Sequence, residues 1–225
     1  EIPKRDWSSD VCSSDLVLVP TNNTVTKVTP AKINGYITFG SFNNLKKINH
    51  KVIKLWSQIL SKSNNSKLLL KTFQLKDEIF KKYFIEFFLN EGVKLDQLIF
   101  EGDSSRNELL DRYNSIDITL DTFPYGGGTT SFESIFMCVP ILTKKGNTFL
   151  SKCGESINSS VGLIDWIADN EEDYVSKAVS FSKDIEGLQK VKNYLYANRN
   201  SFKIFDSKEF ADELSNSFKK MLGII

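Results

Sequence analysis

The chain has 225 residues, 40% hydrophobic and 25% charged, enough to bury one large α/β core or a domain and a half. Its formal charge of +1 argues against a generic nucleic-acid or membrane-surface binder, since neither attracts a protein without a basic excess. No apolar run approaches a membrane span and no secretory signal is expected. Three unpatterned cysteines (Cys12, Cys138, Cys153) indicate neither a disulfide framework nor a zinc site, which fits a reducing cytosol.

Residues 1–16 stand apart. Asp6-Trp7-Ser8-Ser9-Asp10-Val11-Cys12-Ser13-Ser14-Asp15-Leu16 has neither helical nor strand periodicity and resembles a translated sequencing adapter fused to a gene fragment. It is expected to be a non-native scar, with the true N-terminal part missing. Its removal takes away three acids and leaves the remainder mildly basic. Residues 17–35, rich in Thr, Asn and Pro, read as a linker or loop.

From there strands and helices alternate. Residues 36–39 form a β-branched and aromatic strand after the Asn34-Gly35 turn. Val52, Leu55, Trp56, Ile59 and Leu60 recur at helical spacing, and residues 67–71 make a short buried strand. Ile79, Phe80, Tyr83, Phe84, Phe87 and Phe88 predict a second helix with a wide apolar stripe. A third strand (98–100), a short helix (106–114), a fourth strand (116–120), a further helix and a strand at 140–142 follow, with helices to the end. The alternation predicts a Rossmann-like parallel sheet with helices on both faces over residues 36–197, and a helical segment over 198–225.

The most informative stretch is Leu120-Asp121-Thr122-Phe123-Pro124-Tyr125-Gly126-Gly127-Gly128-Thr129-Thr130. A strand empties into three glycines, which allow a tight turn and close approach of a ligand. Two hydroxyl residues then open a helix, whose free N–H groups and positive end suit phosphate. The pattern reads as a diphosphate cradle, although it is neither a P-loop nor GxGxxG. Gly40-Ser41-Phe42-Asn43-Asn44 ends another strand, so two polar loops are expected to face one crevice. Lys47 is placed to balance a diphosphate, and Glu133 to accept from ribose hydroxyls. Arg106 and Arg112 are candidates for base or phosphate contact. His50, the only histidine, reads as exposed or capping, and Cys138 and Cys153 as packing residues. Asp121 reads as capping the turn. Asp117 and Asp121, four apart on a strand, share a face without a third ligand for a metal.

Residues 34–43, Lys47, residues 116–130 and Val139-Pro140 closely resemble the catalytic C-terminal half of the O-linked N-acetylglucosamine transferase family, bacterial type. The similarity continues through Gly146 and Ser151 to Glu171-Glu172-Asp173-Tyr174. It implies the second half of a two-Rossmann (GT-B) glycosyltransferase, a nucleotide-sugar-binding domain whose missing partners are an N-terminal Rossmann domain and helical tetratricopeptide repeats. The implied reaction moves N-acetylglucosamine from UDP-GlcNAc to protein Ser/Thr hydroxyls, in the cytoplasm, without metal or other cofactor. By the same resemblance Lys47, Thr129 and Thr130 hold the diphosphate, with Lys47 stabilising the leaving group, and Asn44 sits near the nucleotide. Glu133 stands where relatives bind the ribose, and Ser104, Arg106 and Arg112 frame the uracil. Two departures are Gly128, a histidine in animal members, and Leu109, a histidine in much of the family. Without the other half, the fragment is expected to bind UDP weakly, if at all, and to transfer nothing. Alternatives are another donor sugar or acceptor on the same fold, such as fucose from GDP, or a non-catalytic nucleotide-sugar-binding module. A nucleotide-sugar epimerase is a remote further option.

Overall fold

A computed structural model describes residues 24–63 and 65–223. The adapter-like stretch and the first part of the expected linker lie outside the described residues. Six strands form one parallel sheet in the order β3-β2-β1-β4-β5-β6: β1 Ile37–Ser41, β2 Ser66–Lys71, β3 Leu98–Glu101, β4 Ile118–Leu120, β5 Ile141–Lys144 and β6 Ile167–Ala168. Ile37 lies opposite Ser66 and Ser41 opposite Leu70, while Phe39 lies opposite Ile118 on the other side. The order reverses between β1 and β4, as in doubly wound nucleotide-binding sheets.

Nine helices are described: α1 Pro30–Asn34, α2 His50–Lys62, α3 Glu78–Asn90, α4 Arg106–Arg112, α5 Thr129–Phe136, α6 Cys153–Ser160, α7 Glu171–Lys183, α8 Ile185–Asn198 and α9 Ser207–Met221. Right-handed crossovers put α2 and α3 on one face of the sheet and α5 and α6 on the other. Local chemistry starts most of them. Asn49 accepts from the Val52 amide, Asp77 from Ile79 and Phe80, and Asn170 from Asp173. Ser105 and Glu108 close a reciprocal capping box at α4.

The core is continuous. Every residue of β1 is buried, α2 buries Val52, Ile53, Leu55, Trp56, Ile59 and Leu60, and Leu68, Leu69 and Leu70 of β2 are fully covered. Gly40 is required inside β1, since a Cβ there would lie 2.2 Å from Ile116 Cδ1.

Three elements differ from expectation, and the apolar stripe expected on α3 is present but partly bare. Pro30–Asn34, expected as linker, is a one-turn helix. Proline suits its first turn, and Thr29, Pro30 and Ala31 are buried because Asp117 accepts from Thr29 Oγ1 and the Ala31 amide. The fourth strand is shorter than 116–120, because a 3-10 turn over Tyr113–Ser115 runs up to it and Asp117 is drawn onto α1 and the Thr38 amide. Asp117 and Asp121 therefore flank β4 and serve its opposite ends. The stripe on α3 is mostly uncovered: Phe84 and Phe88 are buried, whereas Ile79 is 80% exposed and Phe80 and Tyr83 about half. Its neighbour β3 is an edge strand, itself only half-buried, so one ridge of α3 suffices to cover it. The two-residue β6, too short to show a period, falls where only helices were expected.

Candidate functional site

β1 and β4 lie side by side, but the chain leaves one toward β2 and the other toward β5. The divergence opens a crevice at their carboxyl ends, where ligands of such sheets bind. The loop carrying Lys47 and the glycine turn meet there.

Asp121, at the end of β4, organises the turn. Its carboxylate is buried and accepts from the amides of Thr122 (2.9 Å) and Gly127 (2.6 Å) and from Thr143 Oγ1 (2.8 Å). Burial raises its pKa above the ordinary aspartate value, opposed by these hydrogen bonds and by Lys47. The chain wraps tightly around the group. A Cβ on Gly126 would lie 3.0 Å from Asp121 Oδ2, and one on Gly154, at the start of α6, 2.6 Å from the same oxygen. Behind it, Trp56 Nε1 donates to the Tyr174 hydroxyl (3.2 Å), which donates to the Asp121 carbonyl (2.9 Å). The core of the sheet is thus joined to the turn by a satisfied polar chain.

Lys47 comes from a 3-10 turn that Asn44 caps. Its ammonium donates to the Gly126 carbonyl at 2.9 Å and lies 4.0 Å from the centre of the Tyr125 ring. Partial burial lowers its pKa below the usual lysine value, opposed by Asp121 and by Cys153. With one donor used on Gly126, two remain for a ligand.

The helix after the turn starts at Thr129, and its first amides have no partner within the helix. Thr130 Oγ1 donates to Asn43 Oδ1 at 2.9 Å, tying this start to the loop after β1. One turn on, Glu133 is buried, paired with Arg106 Nη1 and accepting from the Tyr113 hydroxyl at 3.3 Å. Burial raises its pKa, opposed chiefly by Arg106. The single Tyr113 proton is shared between that carboxylate and the Thr130 carbonyl at 3.0 Å, the nearer acceptor, so the hydroxyl lies between the turn and the acid.

The structure therefore gathers Lys47, Gly128, Thr129, Thr130, Glu133 and Arg106 around the crevice. Asn44 stands at its edge, exposed, with its oxygen receiving Gln74 Nε2 (2.7 Å) and the Lys46 amide (3.0 Å). Ser104 precedes α4 and bonds only locally, to Asp103 and Ser105. Arg112 is turned onto Glu101 in a two-pronged ion pair at the end of β3. Leu109 packs against the core. His50 is exposed on the first turn of α2, its ring 4.4 Å from that of Phe87. Cys138 is buried, whereas Cys153 is half-exposed at the start of α6, close enough to Lys47 to influence its charge.

Sequence reasoning gave little weight to Asp121, Asn43, Tyr113, Tyr125 and Thr143. For the first four the available signal was proximity in sequence to the glycine turn, the Asn43-Asn44 loop or the end of α4. Thr143 carried no signal, since only the β4–β5 pairing brings it to Asp121. Beyond Phe123 and Pro124 lies an open cavity of about 850 Å³, reaching Lys145, Ser151 and Glu171. Its charges are largely spoken for: Lys145 pairs with Asp169 and Glu171 with Lys51. Among the described residues no group of three or more His, Cys, Asp or Glu side chains could hold a metal ion, and no helix is long and apolar enough to cross a membrane.

Comparison with known proteins adds identity to this geometry. The chain is 37% identical over 203 residues to "Probable UDP-N-acetylglucosamine--peptide N-acetylglucosaminyltransferase SPINDLY" of Eustoma exaltatum subsp. russellianum, covering 86% of this chain and 21% of the relative. A protein of the same name from Oryza sativa subsp. japonica is 34% identical over 194 residues, with the same coverages. The chain thus spans about a fifth of the length of these relatives. Among solved structures, a mutant O-GlcNAc transferase of Thermobaculum terrenum superposes with a TM-score of 0.79 at 30% identity, covering 83% of this chain and 36% of that one. The profile of glycosyl transferase family 41 matches residues 17–214, nearly the whole chain, and the protein belongs to that family.

Proposed function

We propose that this chain is the donor-binding half of a protein glycosyltransferase that moves N-acetylglucosamine from UDP-GlcNAc to Ser/Thr hydroxyls. The names of its relatives supply the donor and the peptide acceptor. The observation that carries the reading is the Lys47 ammonium, fixed on the Gly126 carbonyl beside the open start of α5.

In this reading the diphosphate lies between Lys47 and the Thr129–Thr130 helix start, where an ammonium, two hydroxyls and free amides offset its charge. The acceptor oxygen attacks the anomeric carbon, the bond from that carbon to the diphosphate oxygen breaks, and UDP leaves with the electron pair. Lys47 stabilises that growing charge. Gly128 keeps the entrance open, since a Cβ there would meet nothing within 4 Å. Glu133 stands on the ribose side with Arg106. Ser104, Arg106 and Arg112 frame the uracil, Arg112 through its ion pair with Glu101, and Asn44 borders the nucleotide. Half of the site and the acceptor groove belong to an N-terminal Rossmann domain, with repeats further upstream. Free Cys138 and Cys153 suit a reducing cytoplasm.

Calorimetry on the full-length protein tests this. UDP should bind more tightly than GDP, and Lys47→Ala should weaken UDP by roughly tenfold or more, the worth of one charge-assisted contact. Equal affinity for the two nucleotides, or no loss in the variant, contradicts the assignment.

A further inference from the structure

We infer that Asp121 is a positioning residue for Lys47, acting on it through the single peptide group between Gly126 and Gly127. This rests on the donor site proposed above and adds a residue to it. The N–H of that peptide donates to Asp121 Oδ1 at 2.6 Å, and its carbonyl accepts from Lys47 Nζ at 2.9 Å. Carboxylate, peptide dipole and ammonium therefore stand in series, each aligned by the next. Both charges favour the same peptide orientation, and reversing it would break two charge-assisted hydrogen bonds at once.

The surroundings leave the peptide little alternative. Gly126 abuts the carboxylate, and a Cβ on Gly127 would lie 2.3 Å from Ser131 Oγ and 2.8 Å from Thr130 Oγ1. The groups facing Lys47 are Asp121 behind the peptide, the Cys153 thiol from α6 and the Tyr125 ring from the turn. Facing Asp121 are Lys47, Thr143 and the Tyr174 hydroxyl, which donates to its backbone carbonyl. Lys47 is the cation that offsets the buried carboxylate, and the carboxylate helps keep Lys47 charged.

This arrangement divides the labour in the turn. The Gly127 amide is committed to Asp121, so the anion is met by the two remaining Lys47 protons and the first amides of α5. The negative charge of Asp121 stays behind the glycine backbone, where it holds the ammonium without entering the crevice.

The test is nuclear magnetic resonance on this chain. In the unsubstituted protein, the Gly127 amide signal should move with the titration of Lys47, and Lys47→Met should abolish that movement. Asp121→Asn keeps an acceptor for Gly127 and removes the charge, so the Lys47 titration midpoint should move down and the UDP affinity, followed by shift perturbation, should fall roughly tenfold. A Gly127 signal indifferent to Lys47 ionisation overturns the inference. So does an unchanged Lys47 midpoint in folded Asp121→Asn, whatever happens to UDP binding. If Asp121→Asn does not fold, the unsubstituted Gly127 titration decides alone. Coupled titration in this chain, together with no UDP binding by the full-length protein, would sink the donor reading and leave the positioning link standing.

Discussion

Thr130 and Asn43 meet across the crevice, hydroxyl to amide oxygen at 2.9 Å, and so fasten the glycine turn after β4 to the loop after β1. The two residues are 87 positions apart in sequence. Asn43 is buried, so its oxygen cannot exchange this partner for water without a cost. Asn43→Ala is expected to lower the unfolding free energy by about 1 kcal/mol, the usual net worth of one such bond, as read by urea denaturation. An unchanged midpoint would mean that the two loops are held together elsewhere.

Gly127 and Gly128 should respond differently to the same substitution. A methyl group on Gly127 would collide with Ser131 Oγ and Thr130 Oγ1, whereas Gly128 has open space and an ordinary negative φ of −111°. Gly127→Ala is expected to cost about 2 kcal/mol of stability by overpacking and to displace the Thr130 hydroxyl. Gly128→Ala meets no neighbour but replaces the N-cap glycine of α5 with a poorer cap, so it should cost less, about 0.5–1 kcal/mol. Thermal or urea unfolding of the two variants side by side distinguishes them, and equal effects would refute the packing account.

These contacts show where sequence reasoning stops. The glycine run, the strands and the capped helices were legible because each is encoded by near neighbours: Asn49 with Val52, Ser105 with Glu108, the 3.6-residue recurrence in α2. The parallel class followed from their alternation, and the expected crevice from the two loops that end β1 and β4. The partners inside that crevice were not legible, because Asp121 meets Thr143 and Tyr113 meets Glu133 only after the strands are ordered. The apolar stripe on α3 was legible as a stripe, but its cover was not, for a related reason. Periodicity reports that a face is apolar, not whether a neighbour covers it, and an edge strand such as β3 covers little.

The buried carboxylates set a pH dependence with an unusual sign. Burial raises the pKa of Glu133 above the ordinary value, with Arg106 and Tyr113 only opposing the rise. A carboxyl raised on folding binds more protons folded than unfolded. Its contribution to stability is therefore full below its unfolded value and is lost as pH climbs through its folded one. Relative to Glu133→Gln, the parent should gain stability on acidification from about pH 7 to about pH 4, the interval in which a raised glutamate titrates. Urea unfolding of both proteins across that range reads the difference directly. A parent that loses ground to the variant on acidification would show that the Arg106 pair outweighs burial.

Tyr174 supplies the last test, because its hydroxyl serves two masters in the core. It accepts from Trp56 Nε1 and donates to the Asp121 carbonyl, and its ring and that of Trp56 are fully buried. Tyr174→Phe preserves the packing and removes only the oxygen, leaving an indole N–H and a carbonyl at the end of β4 without this partner. Each stranded buried group costs about 1–3 kcal/mol, so a total loss of roughly 2–4 kcal/mol is expected in denaturant unfolding. The same oxygen fixes the backbone from which the Asp121 side chain reaches Gly127. The variant should therefore also broaden or shift the Gly127 amide resonance at temperatures where the chain remains folded. Loss of stability with an untouched Gly127 signal would confine Tyr174 to the core, whereas both changes together would show that α7 holds the glycine turn through this hydroxyl.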